Sequence, residues 1–205
     1  MGMTCTLWRV SEADRRRLAD LPGPEIEMFL FGERITPQPA TGGGLVGWLK
    51  RLSPITIEDP PPTPADPADR PTTQARGEID LDKAWQGLHF LFTGTASDGD
   101  EPGCFLLRGG VDLGEDEIGN DMPRVISAEQ VRQFAAFLSA LSATELQRRF
   151  DPDRMMELEI YPEIWDRDPS KDDTLQYLLD NVANLRKFLA QVVERKLGLV
   201  VSIVN

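Results

Sequence analysis

Residues 81–94 read LDKAWQGLHFLFTG and contain His89, the single histidine of the 205-residue chain. Large apolar side chains recur here at spacings of four, three and four residues: Leu81, Trp85, Leu88 and Phe92. Because an α-helix turns by about 100° per residue, this spacing places all four on one narrow, core-facing stripe. Asp80 can cap the start and Gly94 suits a left-handed C-cap, so we predict a helix over residues 79–94.

Three polar residues of this predicted helix lie outside its apolar stripe and are therefore available for a chemical role. His89 falls at the margin of the apolar stripe, Asp82 lies nearly in line with it two turns earlier, and Thr93 follows one turn later. A neutral imidazole at such a margin can act as a general base or a ligand, and it can equally be a half-buried group that bonds a carbonyl.

The sequence contains no complete metal-binding or catalytic motif. A zinc site would need both cysteines or carboxylates beside the one histidine, so no metal and no cofactor are expected. No residue is assigned a catalytic role, and the catalytic candidates are His89, Asp82 and Glu159.

Helix starts are marked by capping signals along the chain. A serine followed three residues later by an acid or amide predicts an N-terminus, and so does Asp-Pro. These signals place helix starts after Ser11, Ser127, Ser142 and Asp151. A further helix is predicted over residues 22–31, and the longest runs from about 172 to 197 and stops at Gly198.

Strands are predicted over residues 2–10, 104–107, 124–126 and 199–204, and the last is apolar except for Ser202, as is typical of a buried strand. Few strands and several helices predict an α+β fold, with several helices packed around a small mixed β-sheet. We expect a single domain over residues 1–205. Residues 35–77, which hold nine of the sixteen prolines, form a Pro/Gly-rich, partly flexible insertion in it.

The net charge of −12 is concentrated in two segments. Residues 98–121 contain eight acids and one base, and residues 151–173 contain nine acids and three bases. Such a surface repels phosphate backbones, which argues against nucleic-acid binding, and it steers a basic protein inward. The binding candidates in the first segment are Asp112, Glu115, Asp116 and Glu117, and a merely solubilising face is the alternative.

The compartment follows from what the sequence lacks. There is no apolar run of membrane-spanning length and no signal-peptide pattern at the start. We expect a cytoplasmic protein without a membrane partner, in which Cys5 and Cys104 stay reduced. The oligomeric state is not predicted.

Residues 155–165, MMELEIYPEIW, place acids beside aromatic side chains. Glu157, Glu159 and Glu163 can supply an acid–base pair, and Tyr161 and Trp165 can line a pocket of sugar or base size. The alternative is that these aromatics close the hydrophobic core.

Several of these motifs together resemble the YfbM-like family. They are the MGM start, the LDKAW and LH segments, Thr93-Gly94, the IYPEIW segment and a long helix before a final strand. The resemblance implies a small cytoplasmic α/β protein of bacterial type, classed as a domain of unknown function, and it covers most of the chain outside residues 35–77. It implies no established reaction.

Two functions are compatible with these features, beside a structural scaffold that binds no ligand. The first is an acidic protein-binding module, similar to an immunity or antitoxin-like protein, that masks a basic partner such as a toxin. The alternative is an enzyme or small-ligand-binding protein with a pocket around Trp85, His89, Thr93 and Tyr161, in which Asp82, His89 and Glu159 converge on one cavity. The absence of a complete catalytic motif favours the first.

Overall fold

A computed structural model describes residues 2–31, 77–114 and 122–204, which form one five-stranded sheet and seven α-helices. The strands are β1 (Thr4–Val10), β2 (Glu78–Asp80), β3 (Val111–Asp112), β4 (Arg124–Ile126) and β5 (Gly198–Val204). The helices are α1 (Glu12–Ala19), α2 (Gly23–Phe31), α3 (Trp85–Thr93), α4 (Ala128–Ala140), α5 (Ala143–Arg149), α6 (Pro152–Glu157) and α7 (Thr174–Glu194). Two short 3-10 helices cover Asp82–Ala84 and Gly103–Leu106.

The sheet has the strand order β2-β1-β5-β4-β3, and each neighbouring pair in it is antiparallel. The longest pairing joins the first and last strands, from Thr4 opposite Val204 to Val10 opposite Gly198. The predicted α+β class is confirmed. The predicted mixed sheet is wrong, because the strands that the structure describes pair only in the antiparallel sense.

Helices cover both faces of this sheet. In β1, Cys5 and Leu7 point into the larger core with α3, α4 and α7, whereas Trp8 and Val10 point into a smaller core with α1 and α2. Strand β5 is buried from its first residue to Ile203, because it lies at the centre of the sheet with a core on either side. The prediction of a buried terminal strand is confirmed.

The predicted helix starts are also confirmed. Ser11, Ser127 and Ser142 each accept a hydrogen bond from the backbone N–H three residues later, and Asp151 does the same for α6. Ser127 forms a complete capping box, in which the Gln130 side chain accepts the Ser127 N–H at 3.1 Å.

Two predictions for the segment around α3 are wrong: where the helix begins, and which element residues 104–107 form. Residues 78–80 pair with β1 as an edge strand, and a 3-10 turn separates them from α3, so the helix begins at Trp85 rather than at residue 79. Residues 104–107 were expected to be a strand, yet Gly103–Leu106 is a 3-10 helix. A short, fully buried apolar run has no polar side to reveal its period, which explains the second error.

Helix α7 ends before the predicted stop at Gly198. The N–H of Leu197 bonds to Val192 O and the N–H of Lys196 bonds to Val193 O, both at 3.0 Å, which is a Schellman motif with Lys196 in the left-handed region. Gly198 instead begins β5, where a Cβ would lie 2.6 Å from the carbonyl oxygen of Ile126.

The predicted insertion falls on residues 35–77, and of these only Gly77 is within the described residues. No helix in the ranges that the structure describes has the length and apolar character needed to cross a membrane.

Candidate functional site

His89 is fully buried rather than placed at a half-exposed margin. Helix α3 buries seven of its nine residues, so the sequence-based division into a core stripe and a solvated side is wrong for this helix. The His89 Nε2 lies 2.9 Å from the backbone oxygen of Asp98, which makes Nε2–H the donor. Nδ1 is buried and has no hydrogen-bond partner in the part of the chain that the structure describes.

This burial gives a testable pH dependence of stability. Burial lowers the pKa of His89 below 6.5, with a smaller opposing effect from its bond to Asp98. The unfolded state therefore binds the proton first, and the stability contributed by neutral His89 is complete above pH 6.5 and decreases as the pH falls below it. We expect the free energy of unfolding in urea to be lower at about pH 5.5 than at about pH 7.5.

The control for this prediction is His89→Gln, which cannot titrate in that interval. The variant should lose less of its stability between the two pH values than the wild type does. Since His89 is the only histidine, one imidazole resonance reports the same pKa by NMR. Titration of the folded chain at the ordinary value of 6.5 would contradict the argument.

Thr93 and Gly94 close the end of α3 rather than line a pocket. The Thr93 hydroxyl donates to His89 O at 2.9 Å and accepts the N–H of Thr95 at 3.2 Å. Gly94 has φ = +77° and donates its N–H to Phe90 O at 2.7 Å. The predicted left-handed cap is confirmed, and the Thr-Gly part of the motif has a structural role.

Asp82 lies on a small cavity that His89 and Glu159 do not line. Its φ is +48°, and its N–H is accepted by the Asp80 side chain at 2.7 Å. The cavity has a volume of about 230 Å³ and is lined by both charged and apolar side chains: Asp82, Lys83, Pro162, Ile164, Arg167, Asp172, Thr174 and Tyr177. The convergence of Asp82, His89 and Glu159 that the enzyme hypothesis requires is therefore not observed.

Tyr177 is a residue of this cavity that the sequence did not single out. Its hydroxyl donates to the Asp82 carboxylate at 3.1 Å. Burial and the neighbouring Asp82 charge raise the pKa of Tyr177, so the phenol stays protonated and ties α7 to the 3-10 turn before α3. It contributes a structural link across the cavity.

The α6–α7 loop, residues 158–173, connects the two helices and lines part of this cavity. It has sixteen residues and contains neither helix nor strand. Loops of this length without secondary structure are uncommon in compact domains and are usually either functional or disordered. The contacts of this loop with the core distinguish between these two cases.

Helix α3 holds the first part of the α6–α7 loop. The Gln86 side-chain oxygen accepts the N–H of Tyr161 at 2.8 Å, and the Gln86 amide donates to Ala96 O at 3.1 Å. The rings of Trp85 and Tyr161 stack at a centroid distance of 5.6 Å and an angle of 25°. The backbone of this loop is therefore held by two neighbouring side chains of α3, Trp85 and Gln86.

Trp165 holds the middle of the loop. It is 1% exposed, and its indole N–H donates to Ile160 O at 2.6 Å. Its ring packs against Gly87, where a Cβ would lie 2.5 Å from the outer ring carbon Cη2. Trp165 O accepts the Thr174 hydroxyl at 3.3 Å, which joins the loop to the start of α7. Trp165 thus closes the core, as the structural alternative for this aromatic pair expected.

Glu159 begins the loop for a reason of backbone geometry. The N–H of Ile160 bonds to Met155 O and that of Glu159 to Met156 O, which is a second Schellman motif with Glu159 at φ = +52°. Met155 and Ile160, the two ends of this motif, are fully buried. The Glu159 side chain is exposed and contributes to the charged surface.

All nine acids of residues 151–173, the acidic segment, are exposed. Three form ion pairs with neighbouring bases: Glu157 with Arg154, Asp172 with Arg167 and Asp168 with Lys171. Asp151 and Asp173 cap α6 and α7. The other four, Asp153, Glu159, Glu163 and Asp166, form no ion pair with the described residues.

The remaining candidates are less informative. Asp112 is exposed on β3, and Glu115, Asp116 and Glu117 lie outside the described residues. Within residues 2–31, 77–114 and 122–204, no three histidine, cysteine or acidic side chains are grouped so as to hold a metal ion. Cys5 and Cys104 are buried, and burial raises the pKa of Cys104.

Besides Tyr177, two residues that hold the α6–α7 loop, Gln86 and Gly87, were not predicted from the sequence. Gly87 had a detectable signal, because a glycine inside a helix costs stability and usually has a packing reason, here the contact with Trp165. Gln86 had none, since a polar residue next to an apolar stripe is ordinary on any helix.

Comparison with known proteins agrees with the fold. Residues 1–202 match the model of DUF1877, a domain of unknown function. The crystal structure of YfbM, a protein of unknown function from Escherichia coli, superposes with a TM-score of 0.62 at 17% identity, covering 98% of this chain and 99% of that one. No curated protein matches this sequence. The chain belongs to the DUF1877 family, as the YfbM-like motifs predicted.

Proposed function

We propose that this chain is an acidic protein-binding module that masks a basic partner, in the manner of an immunity or antitoxin-like protein. The observation that carries the proposal is the acidic segment, whose nine carboxylates are all exposed on a backbone fixed by Gln86, Trp165 and Thr174.

The fixed backbone favours binding because a loop that is already ordered loses little conformational entropy when a partner docks. The concentrated negative charge accelerates encounter with a basic surface, and this acceleration weakens as salt is added. Six of the nine carboxylates form no ion pair with the described residues, so a cationic partner would not have to displace an internal one from them.

The test removes two of those charges from the α6–α7 loop. We expect the double variant Glu159→Gln, Glu163→Gln to bind the partner about fivefold more weakly at low salt, at roughly 0.5 kcal/mol for each exposed charge. The measurement is capture by the tagged chain from a lysate of its own cells, followed by titration with the captured protein over a salt series.

A matched control removes the same charge elsewhere. The pair Glu25→Gln, Glu78→Gln neutralises two exposed acids on α2 and β2, outside the acidic segment. This control should bind like the wild type. A basic protein retained equally by both variants, or retained without dependence on salt, would refute the proposal.

A further inference from the structure

A groove beside the α6–α7 loop combines an apolar floor with an acidic rim. Its volume is about 430 Å³, within the usual range of ligand-binding clefts. The floor includes the half-buried Phe150 and Leu175, and the exposed rim includes Asp153, Asp166 and Asp173. Trp165 also lines the groove but is 1% exposed, so the accessible aromatic ring is that of Phe150. The three acids come from different elements, since they belong to α6, to the loop and to the cap of α7.

The charge on this rim is largely uncompensated. The only base among the lining residues is Arg167, and its guanidinium lies 2.5 Å from the Asp172 carboxylate. Asp153 and Asp166 form no ion pair with the described residues, and Asp173 accepts a single backbone N–H from Gln176. A cationic group entering the groove would therefore meet carboxylates that have kept their acceptor positions.

The combination suits an arginine side chain better than other cations. An arginine has an aliphatic stem that packs on apolar surface and a planar guanidinium that stacks on aromatic rings and binds carboxylates in a bidentate fashion. Lysine offers a point charge without the planar surface, and an uncharged planar group offers no attraction to the acids.

We propose that this groove binds an arginine side chain of the basic partner, an inference that rests on the proposed function for its biological ligand. The groove is then the point at which the partner is anchored, because a buried side chain with aromatic and charged contacts typically dominates an interface. The other acids of the segment contribute long-range attraction.

The test uses three short blocked peptides, Gly-X-Gly, in which X is arginine, lysine or citrulline, the uncharged analogue of arginine. In NMR titrations of the full chain we expect the arginine peptide to shift resonances around the groove and to bind most tightly. Citrulline should bind about tenfold more weakly, as expected for loss of a charge-assisted bidentate contact. Shifts spread over all acidic surfaces, equal for arginine and lysine, would overturn the proposal.

The decisive variant is Asp153→Asn with Asp166→Asn, compared with Glu159→Gln, Glu163→Gln outside the groove. The first pair should weaken arginine-peptide binding about fivefold, and the second should change it by less than about twofold. Circular dichroism and unfolding confirm that each variant is folded. Equal peptide affinity of the first pair and the wild type would show that the groove is not the site.

The same variants separate failure of the groove from failure of the proposed function. If the partner depends on Glu159 and Glu163 but not on Asp153 and Asp166, the masking function stands and the arginine groove is wrong. If the arginine peptide binds the groove while partner capture is unaffected by either pair, arginine recognition stands and the masking function is wrong.

Discussion

Trp165→Ala is expected to lower the free energy of unfolding by about 3–5 kcal/mol, the range for removal of a fully buried large aromatic. Trp165 is 1% exposed, packs against Gly87 and donates to Ile160 O. The substitution leaves a cavity in the core, whereas Ile160 O keeps a second donor, the N–H of Glu163 at 2.9 Å, so the cavity accounts for most of the penalty. We also expect loss of partner binding, because the α6–α7 loop loses its central contact with the core.

Urea unfolding measures the global effect, and hydrogen exchange over residues 158–173 measures the local one. The matched control is Trp8→Ala, which removes a tryptophan of 4% exposure from the smaller core on the opposite face of the sheet. The control should destabilise the chain to a similar degree without selectively increasing exchange in the loop. A loss below about 1 kcal/mol for Trp165→Ala would mean that the loop is not held as described.

Local signals predicted much of this fold because they depend on neighbouring residues alone. The cap at Ser127 depends on one residue three positions away, Gln130, and the buried β5 is a run that is apolar except for Ser202. The Schellman motifs at Glu159 and Lys196 were not predictable in this way, because glycine is the usual signal for a left-handed residue and both positions have charged ones.

The role of His89 was beyond local reasoning. Periodicity predicted a polar margin on α3, but this helix is covered on nearly all sides and the turn that ends at Asp98 supplies the imidazole with its only hydrogen-bond partner among the described residues. A helical wheel cannot predict this burial, because the residues that bury His89 lie outside the helix.

The charge of the acidic segment could be predicted from the sequence, but the fixed conformation of its backbone could not. Composition alone located nine acids in residues 151–173, and the sequence offered aromatic residues beside them. The hydrogen bond from Tyr161 to Gln86 joins residues 75 positions apart, and the packing contact between Trp165 and Gly87 joins residues at a similar distance in the sequence. Contacts of this kind depend on the tertiary arrangement of α3 and the loop, and no local pattern encodes them.

Gly87→Ala should destabilise the chain by about 2 kcal/mol, although alanine favours a helix by about 1 kcal/mol over glycine. The added Cβ would lie 2.5 Å from Cη2 and 2.8 Å from Cζ2 of Trp165, with Leu178 Cδ2 at 3.0 Å on the other side. The buried indole cannot move away without breaking its bond to Ile160 O. The clash therefore outweighs the gain in helix propensity.

A double-mutant cycle separates these two opposing contributions. Trp165→Leu removes the outer ring atoms that meet the new Cβ, so in that background Gly87→Ala should be neutral or stabilising by up to about 1 kcal/mol. We expect a coupling energy of about 2–3 kcal/mol between positions 87 and 165, measured by urea unfolding of the four proteins. Additive effects would mean that the added Cβ is opposed by a neighbour other than Trp165, such as Leu178. Strong coupling would mean that a glycine is present there because the tryptophan of the acidic segment packs directly on the helix backbone.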